Sequence, residues 1–146
     1  MKSTFNIDDL ALLTGLSTRT IRTYISDGFI DGDKSTGSWQ FTPEQVDAFL
    51  QNKTVAPAIH SKRNAIVFDF LGSKPSGKDK MCIVLDISSE RKLNASRLFC
   101  RYLSEYDKPE LELRFASEPM GDGLRVILSG SNADVTDILK RYYQES

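Results

Sequence analysis

The sequence predicts an α+β chain: three short helices with a hairpin between the second and third, then a ββαββα unit whose four-stranded antiparallel sheet lies under two helices. Three observations predict it. Apolar residues recur at helical spacing behind capping residues in the first fifty positions. Runs at 65–71, 81–87, 111–115 and 124–128 are β-branched or alternate apolar with polar, which reads as strands. Two amphipathic segments, 93–106 and 132–142, follow the second and fourth of these runs.

The first helix opens at Asn6, an N-cap residue with Asp9 three positions on, and buries Ile7, Leu10, Ala11 and Leu13. Thr14 and Gly15 end it. Ser17 caps a second helix that turns Ile21, Tyr24 and Ile25 to one face and leaves Thr18, Arg19, Arg22, Thr23 and Ser26 outward, with Gly28 as its stop. Asp31, Gly32 and Asp33, then Ser35, Thr36 and Gly37, fold a hairpin ahead of Trp39, Gln40 and Phe41. Thr42 as N-cap, Pro43 at N1 and Gln45 at N3 start a third helix carrying Val46, Phe49 and Leu50. Two helices across a Gly turn, with a hairpin wing, are a winged helix-turn-helix. Its second helix is the groove reader.

Residues 51–63 lose periodicity and contain Pro57, which reads as a linker. The domains are therefore expected at 1–53 for the winged unit, 54–63 for the linker and 64–146 for the α+β unit. In the second unit the loop 72–80 reads as a hairpin loop, 93–106 as a helix with Leu98, Phe99, Tyr102, Leu103 and Tyr106 inward, and 118–123 as a turn. Ser131 and Asp134 form a capping box for a last helix with Val135, Ile138, Leu139 and Tyr142 on one side.

Composition excludes more than it assigns. The chain has 146 residues, is 40% hydrophobic and 27% charged, and has a formal charge of -1. These values describe an ordinary globular protein. No apolar run is long enough to span a bilayer, and the chain starts without a signal-peptide core, so a cytoplasmic location with no membrane partner is expected. Cys82 and Cys100 lie in apolar segments without paired spacing, which reads as free buried thiols and no metal site. Up to Arg63 seven Lys or Arg balance seven Asp or Glu, so the expected reader is neutral. Few neutralised phosphates mean weak binding by one copy, and a dimer or a neighbouring protein is implied.

The first half resembles the winged helix-turn-helix of the MerR superfamily, including its excisionase-type members. The resemblance rests on the Thr14-Gly15-Leu16-Ser17 turn, on Arg19-Thr20-Ile21-Arg22 with Tyr24, on Gly28 with Phe29-Ile30, and on the run from Gly37 through Trp39, Gln40 and Phe41 to Thr42. It covers about a third of the chain. It implies that Thr18, Arg19, Arg22 and Thr23 meet double-stranded DNA in the major groove. The chemistry agrees, since Arg grips guanine or phosphate bidentately and Thr offers a hydroxyl and a methyl. Tyr24 is either core or a phosphate contact. In the wing the candidates are Lys34, Trp39 and Gln40: the family's usual wing arginine is replaced, Lys34 stands as the substitute cation, and Trp39 either packs or stacks near the sugar. The family's long dimerising helix is expected to be missing, because Pro57 and the run from Ala65 follow too soon.

A phosphate-loop spacing at 72–78, followed by the apolar 82–85, is rejected because that loop must open onto a helix N-terminus and here a strand follows. No nucleophile with a base is in view, so no catalytic residue, enzyme activity or cofactor is called for. The resulting expectation is a small bacterial MerR-like transcription regulator acting as a homodimer through its second unit, with room for an unknown small-molecule effector. The alternatives are an excisionase-like architectural or recombination factor, and a protein-interaction module that no longer binds DNA. Self-association is expected at a sheet face or edge, since Phe68, Phe70, Ile83, Leu85 and Leu113 cannot all lie under two helices.

Overall fold

The computed structural model describes residues 4–75, 77–106 and 113–145. Its element order is α1 (Ile7–Thr14), α2 (Thr18–Ser26), α3 (Pro43–Leu50), α4 (Ala56–Gly72), β1 (Lys80–Ile87), α5 (Lys92–Glu105), β2 (Arg114–Met120), β3 (Gly123–Ser131) and α6 (Asn132–Glu145).

The N-terminal caps form as their chemistry requires. Asn6 accepts from the Asp9 amide at 2.8 Å while Asp9 accepts from the Asn6 amide at 2.9 Å, and Thr42 and Gln45 repeat the exchange on α3. Phe5 and Phe41 exchange both main-chain hydrogen bonds at 2.8 Å, and Asp33 and Gln40 do the same at 2.8 and 2.9 Å, closing the wing. Both aromatic rings of the first pair are buried.

The expected four-stranded sheet is corrected to three strands in the order β1-β3-β2, both pairings antiparallel. The missing strand is α4. Residues 65–71 are helical, and the supposed linker 54–63 supplies most of the first half of the same 17-residue helix. Pro57 lies in its first turn, where a residue without an N–H is tolerated. Ile59, Arg63, Ile66 and Phe70 recur at helical spacing, and Ile66 packs on Ala116 and Ile127. Residues 72–80 consequently join a helix to a strand and are not a hairpin loop; Ser76 lies outside the described residues. Leu111 and Glu112 of the expected third strand also lie outside them.

The expected turn at 118–123 is shorter. β2 continues to Met120, and a two-residue loop, Gly121 (φ 61°) and Asp122, returns the chain, as in a type II′ hairpin. Pro119 is tolerated because β2 is an edge strand. Ser131 caps α6, accepting from the Asp134 amide at 3.2 Å.

The sheet is covered on both faces. Phe99 of α5 stacks on Tyr142 of α6 at 5.1 Å and meets Phe115 of β2 at 5.4 Å. On the opposite face Glu118, 7% exposed, pairs with Arg63 at 2.6 Å and His60 at 3.2 Å, both from α4. Taking a carboxylate out of water is tolerated only with partners at this range. Among the residues expected to be left bare, Ile83, Leu85 and Leu113 pack on the main core, and Phe70 lines a groove with Ile66 and Leu113. Phe68 is 70% exposed.

The winged unit shares this core. A single buried cluster runs from Phe5 and Leu50 to Leu98, Phe115 and Tyr142. Ser117 of β2 donates to the Leu13 carbonyl at 2.6 Å in a buried position, and Lys92 of α5 meets Asp47 of α3 at 2.7 Å. Cys100 lies over the end of this contact, its thiol 3.8 Å from the Asp9 carbonyl, and burial drives its pKa far above the ordinary thiol value. Gly15 turns α1 into α2 at φ 75°, and a Cβ there would meet the Ala116 Cβ at 3.2 Å. Both the left-handed backbone and the close approach demand glycine. Gly15→Ala is therefore expected to lower stability by about 1–2 kcal/mol or more. Urea unfolding should show the winged unit and the sheet losing stability in one shared transition; two separate transitions would show that the common core does not couple them.

Candidate nucleic-acid interface

Helix α2 is built to present one polar face. Ser17 accepts from the Thr20 amide at 3.1 Å, and Ile21 is fully buried, which anchors the helix from below. Thr18, Arg19, Arg22, Thr23 and Ser26 are exposed, as the helical spacing predicts. Among the described residues neither Arg19 nor Arg22 is engaged in an ion pair or hydrogen bond. Thr23 donates its hydroxyl to the Arg19 carbonyl at 3.1 Å, so toward a ligand it offers lone pairs and a methyl.

Tyr24 faces inward. Its ring meets Phe29 at 5.7 Å and Phe49 at 5.8 Å, both edge-on, and it is half-buried. The ring therefore packs on the core, and the residue remains half-buried.

The wing is held by local hydrogen bonds and ring contacts. Asp33 accepts from the Ser35 amide at 2.8 Å and from the Ser35 hydroxyl at 2.9 Å, and these two bonds hold its carboxyl below the usual carboxylate range. Gly37, at φ 91°, closes the tip by donating to the Lys34 carbonyl at 3.0 Å. Trp39 lies parallel to Phe41, 6.0 Å away with 8° between planes, and Lys34 holds its ammonium 5.7 Å from the indole. Gln40 accepts from Thr4 at 2.7 Å and donates to Ser38 at 3.3 Å, which fixes its amide along the strand.

Helix and wing converge. An open groove of about 450 Å³ is lined by Arg22 from α2, by Lys34, Gly37, Ser38, Trp39 and Gln40 from the wing, and by Asn6, Ile7 and Asp8 from the start of α1. Four of the eight expected site residues, Arg22, Lys34, Trp39 and Gln40, are thus brought to one cleft. Thr18, Arg19 and Thr23 lie on the helix outside it, and Tyr24 lies behind it. Asn6, Asp8 and Ser38 are not among the expected site residues: Asn6 reads as a helix cap and Asp8 as an acid in the first turn, and nothing in the local pattern aims them at the wing. No His, Cys, Asp or Glu cluster able to hold a metal exists among the described residues.

This arrangement of three short helices and a wing defines a winged helix-turn-helix. Residues 5–54 match the family model described as MerR HTH family regulatory protein, so the N-terminal part of the chain is a MerR-type helix-turn-helix domain. No curated protein and no solved structure matches the chain.

If Trp39 packs as its stacking geometry indicates, Trp39→Ala should cost about 1–2 kcal/mol in thermal or urea unfolding, while Lys34→Ala should cost less than about 0.5 kcal/mol. Equal, negligible effects from both would show the indole to be free of the core.

Proposed function

We propose that the chain is a DNA-binding transcriptional regulator of MerR-like type, working in the cytoplasm as a homodimer held together by the α+β unit. The observation that carries the reading is the shared groove: Arg22 of α2 and Lys34 of the wing line one exposed cleft beside Arg19, on a domain matched to a family of regulators. Groove and wing cations at two neighbouring levels suit a helix in the major groove with the wing on the adjoining backbone. A binding module of this kind needs no cofactor and no catalytic group, and we propose neither. Its double-stranded DNA partner is the one chemistry that Arg19, Arg22 and Lys34 serve together. A small-molecule effector is not required for this role.

The dimer part of the reading is supported by charge, and α4 restricts which surface can hold the second copy. Up to Arg63 acidic and basic residues balance, so one copy releases few counterions on binding. A 17-residue helix does follow the winged unit, contrary to the sequence expectation, but Ile59 and Ile66 are buried within its own chain. That face is already used. A second copy has to be held by other surfaces.

Arg19→Ala and Arg22→Ala should each weaken binding of the full-length protein to duplex selected from random DNA by about tenfold or more. Each should also lower the slope of log affinity against log salt by about one where the lost contact is a phosphate. Unchanged binding in both variants, or no binding by the unaltered protein at low salt, would overturn the DNA reading.

A further inference from the structure

We infer that β1 is a self-pairing edge: two copies join β1 to β1 antiparallel, in the register centred on Ile83, to make one six-stranded sheet. The inference deepens the homodimer reading proposed above and rests on it.

The two edges of the sheet are treated differently. β2 is covered along its outer side by the winged unit, through the Ser117 bond to Leu13 and the contact of Gly15 with Ala116. β1 pairs with β3 on one side and receives α6 on a face, where Thr136 reaches Met81 at 3.8 Å. Among the described residues no element covers its other edge. This strand is eight residues long, its pairing with β3 runs without a bulge, and it contains no proline. Five of its residues in succession, Met81 to Leu85, are apolar, and Val84 in the middle is 57% exposed. Proteins ordinarily blunt such an edge with bulges, prolines or inward charges. Here alternate main-chain N–H and C=O groups are aimed at a matching strand.

The sequence of β1 chooses the partner. In an antiparallel pair related by a two-fold axis, directly opposed residues share a face. Centred on Ile83, the register sets Ile83 against the partner's Ile83, Met81 against the partner's Leu85, and Cys82 against the partner's Val84. It also sets Lys80 against the partner's Asp86. From Met81 to Leu85 every residue meets an apolar one, and Lys80 meets by opposite sign an Asp86 that also holds Arg125 of its own chain at 2.7 and 3.0 Å. Shifting the centre by one residue to Val84 would oppose Cys82 to the partner's Asp86 and lose the match. Val84, Cys82 and Asp86 lie on the α4 face of the sheet, as their pairing with Ile127, Ser129 and Arg125 shows.

The resulting order, β2-β3-β1-β1-β3-β2, puts the two winged units at opposite ends. Five strand spacings separate the outer strands by about 24 Å, and the α1 helices lie beyond them. That is the scale of successive major grooves on one side of a duplex, about 34 Å apart.

The test uses full-length protein. Val84→Cys should form an intermolecular disulfide with the partner's Cys82 under alkaline oxidation, since burial holds the Cys82 thiol above its ordinary pKa. Cys82→Ser combined with Val84→Cys should not cross-link, whereas a Val84-centred seam would still cross-link it. Val84→Lys, at an exposed position, should keep the unfolding midpoint of the dilute monomer and raise the dimer dissociation constant in sedimentation by roughly tenfold or more. A strictly monomeric wild type, a Val84→Lys dimer of unchanged affinity, or cross-linking that does not need Cys82 would overturn the seam. The two readings fail separately: a monomer that still takes duplex from a random pool overturns the seam alone. A cross-linked dimer that takes none supports the seam and overturns the DNA reading.

Discussion

The contact between the end of α1 and the outer edge of β2 governs the rest of the molecule. Gly15 is left-handed and almost touches Ala116, and two residues earlier the Leu13 carbonyl receives the Ser117 hydroxyl at 2.6 Å. Because the turn of the helix-turn-helix begins at Gly15, the strand that touches it also fixes where α2 points. A buried hydrogen bond and a close backbone approach both weaken steeply with displacement, so the reading helix cannot rotate freely against the sheet. Orientation of the groove face is thereby a property of the second unit as much as of the first.

Around that contact the charges are arranged to tolerate burial. Glu118, one residue beyond Ser117, would be costly in a dry interior without Arg63 and His60 above it. Those two partners come from α4, so the helix that seals one sheet face also satisfies the carboxylate beneath it. Lys92 with Asp47, and Arg97 over the Phe5 ring at 5.9 Å, tie α5 to the winged unit from the other face. Two elements of the second unit, β2 and α5, therefore grip the first.

The winged unit was legible because its signals are local. A capping box needs residues three apart, and a left-handed turn needs a glycine where the chain reverses. Both read directly from Asn6 and Asp9, Thr42 and Gln45, and Gly15. α4 was not legible for a physical reason: 65–71 is a short apolar run with β-branched members, and periodicity alone does not separate such a run from a strand. Pro57 reads as a linker residue in the sequence, although a proline in the first turn costs a helix nothing. The deciding period, Ile59 through Phe70, crosses the boundary drawn between linker and strand. In the site, the outward set on α2 followed from spacing, and the structure confirms its exposure. Convergence with the wing did not follow, because it depends on where the hairpin folds back in three dimensions. Lys34, Trp39 and Gln40 come within reach of Arg22 only through the Phe5 and Phe41 pairing, which spans 36 residues.

The helical state of 65–71 also changes the logic of the sheet. With four strands, two helices on one face would have left the other face bare, and the face itself would have been the place for a second copy. With three strands and α4 laid across β2 and β3, that face is largely filled, and the unsatisfied part of the sheet contracts to one margin. Main-chain groups at a margin are more demanding than an apolar face, because they require a strand in a definite register and direction. For the homodimer proposed above, such a seam serves better than a greasy face, since a seam fixes the angle between two heads. Rigid mounting of α2 on β2 has value for DNA recognition only if the opposite edge of the same sheet is equally well defined.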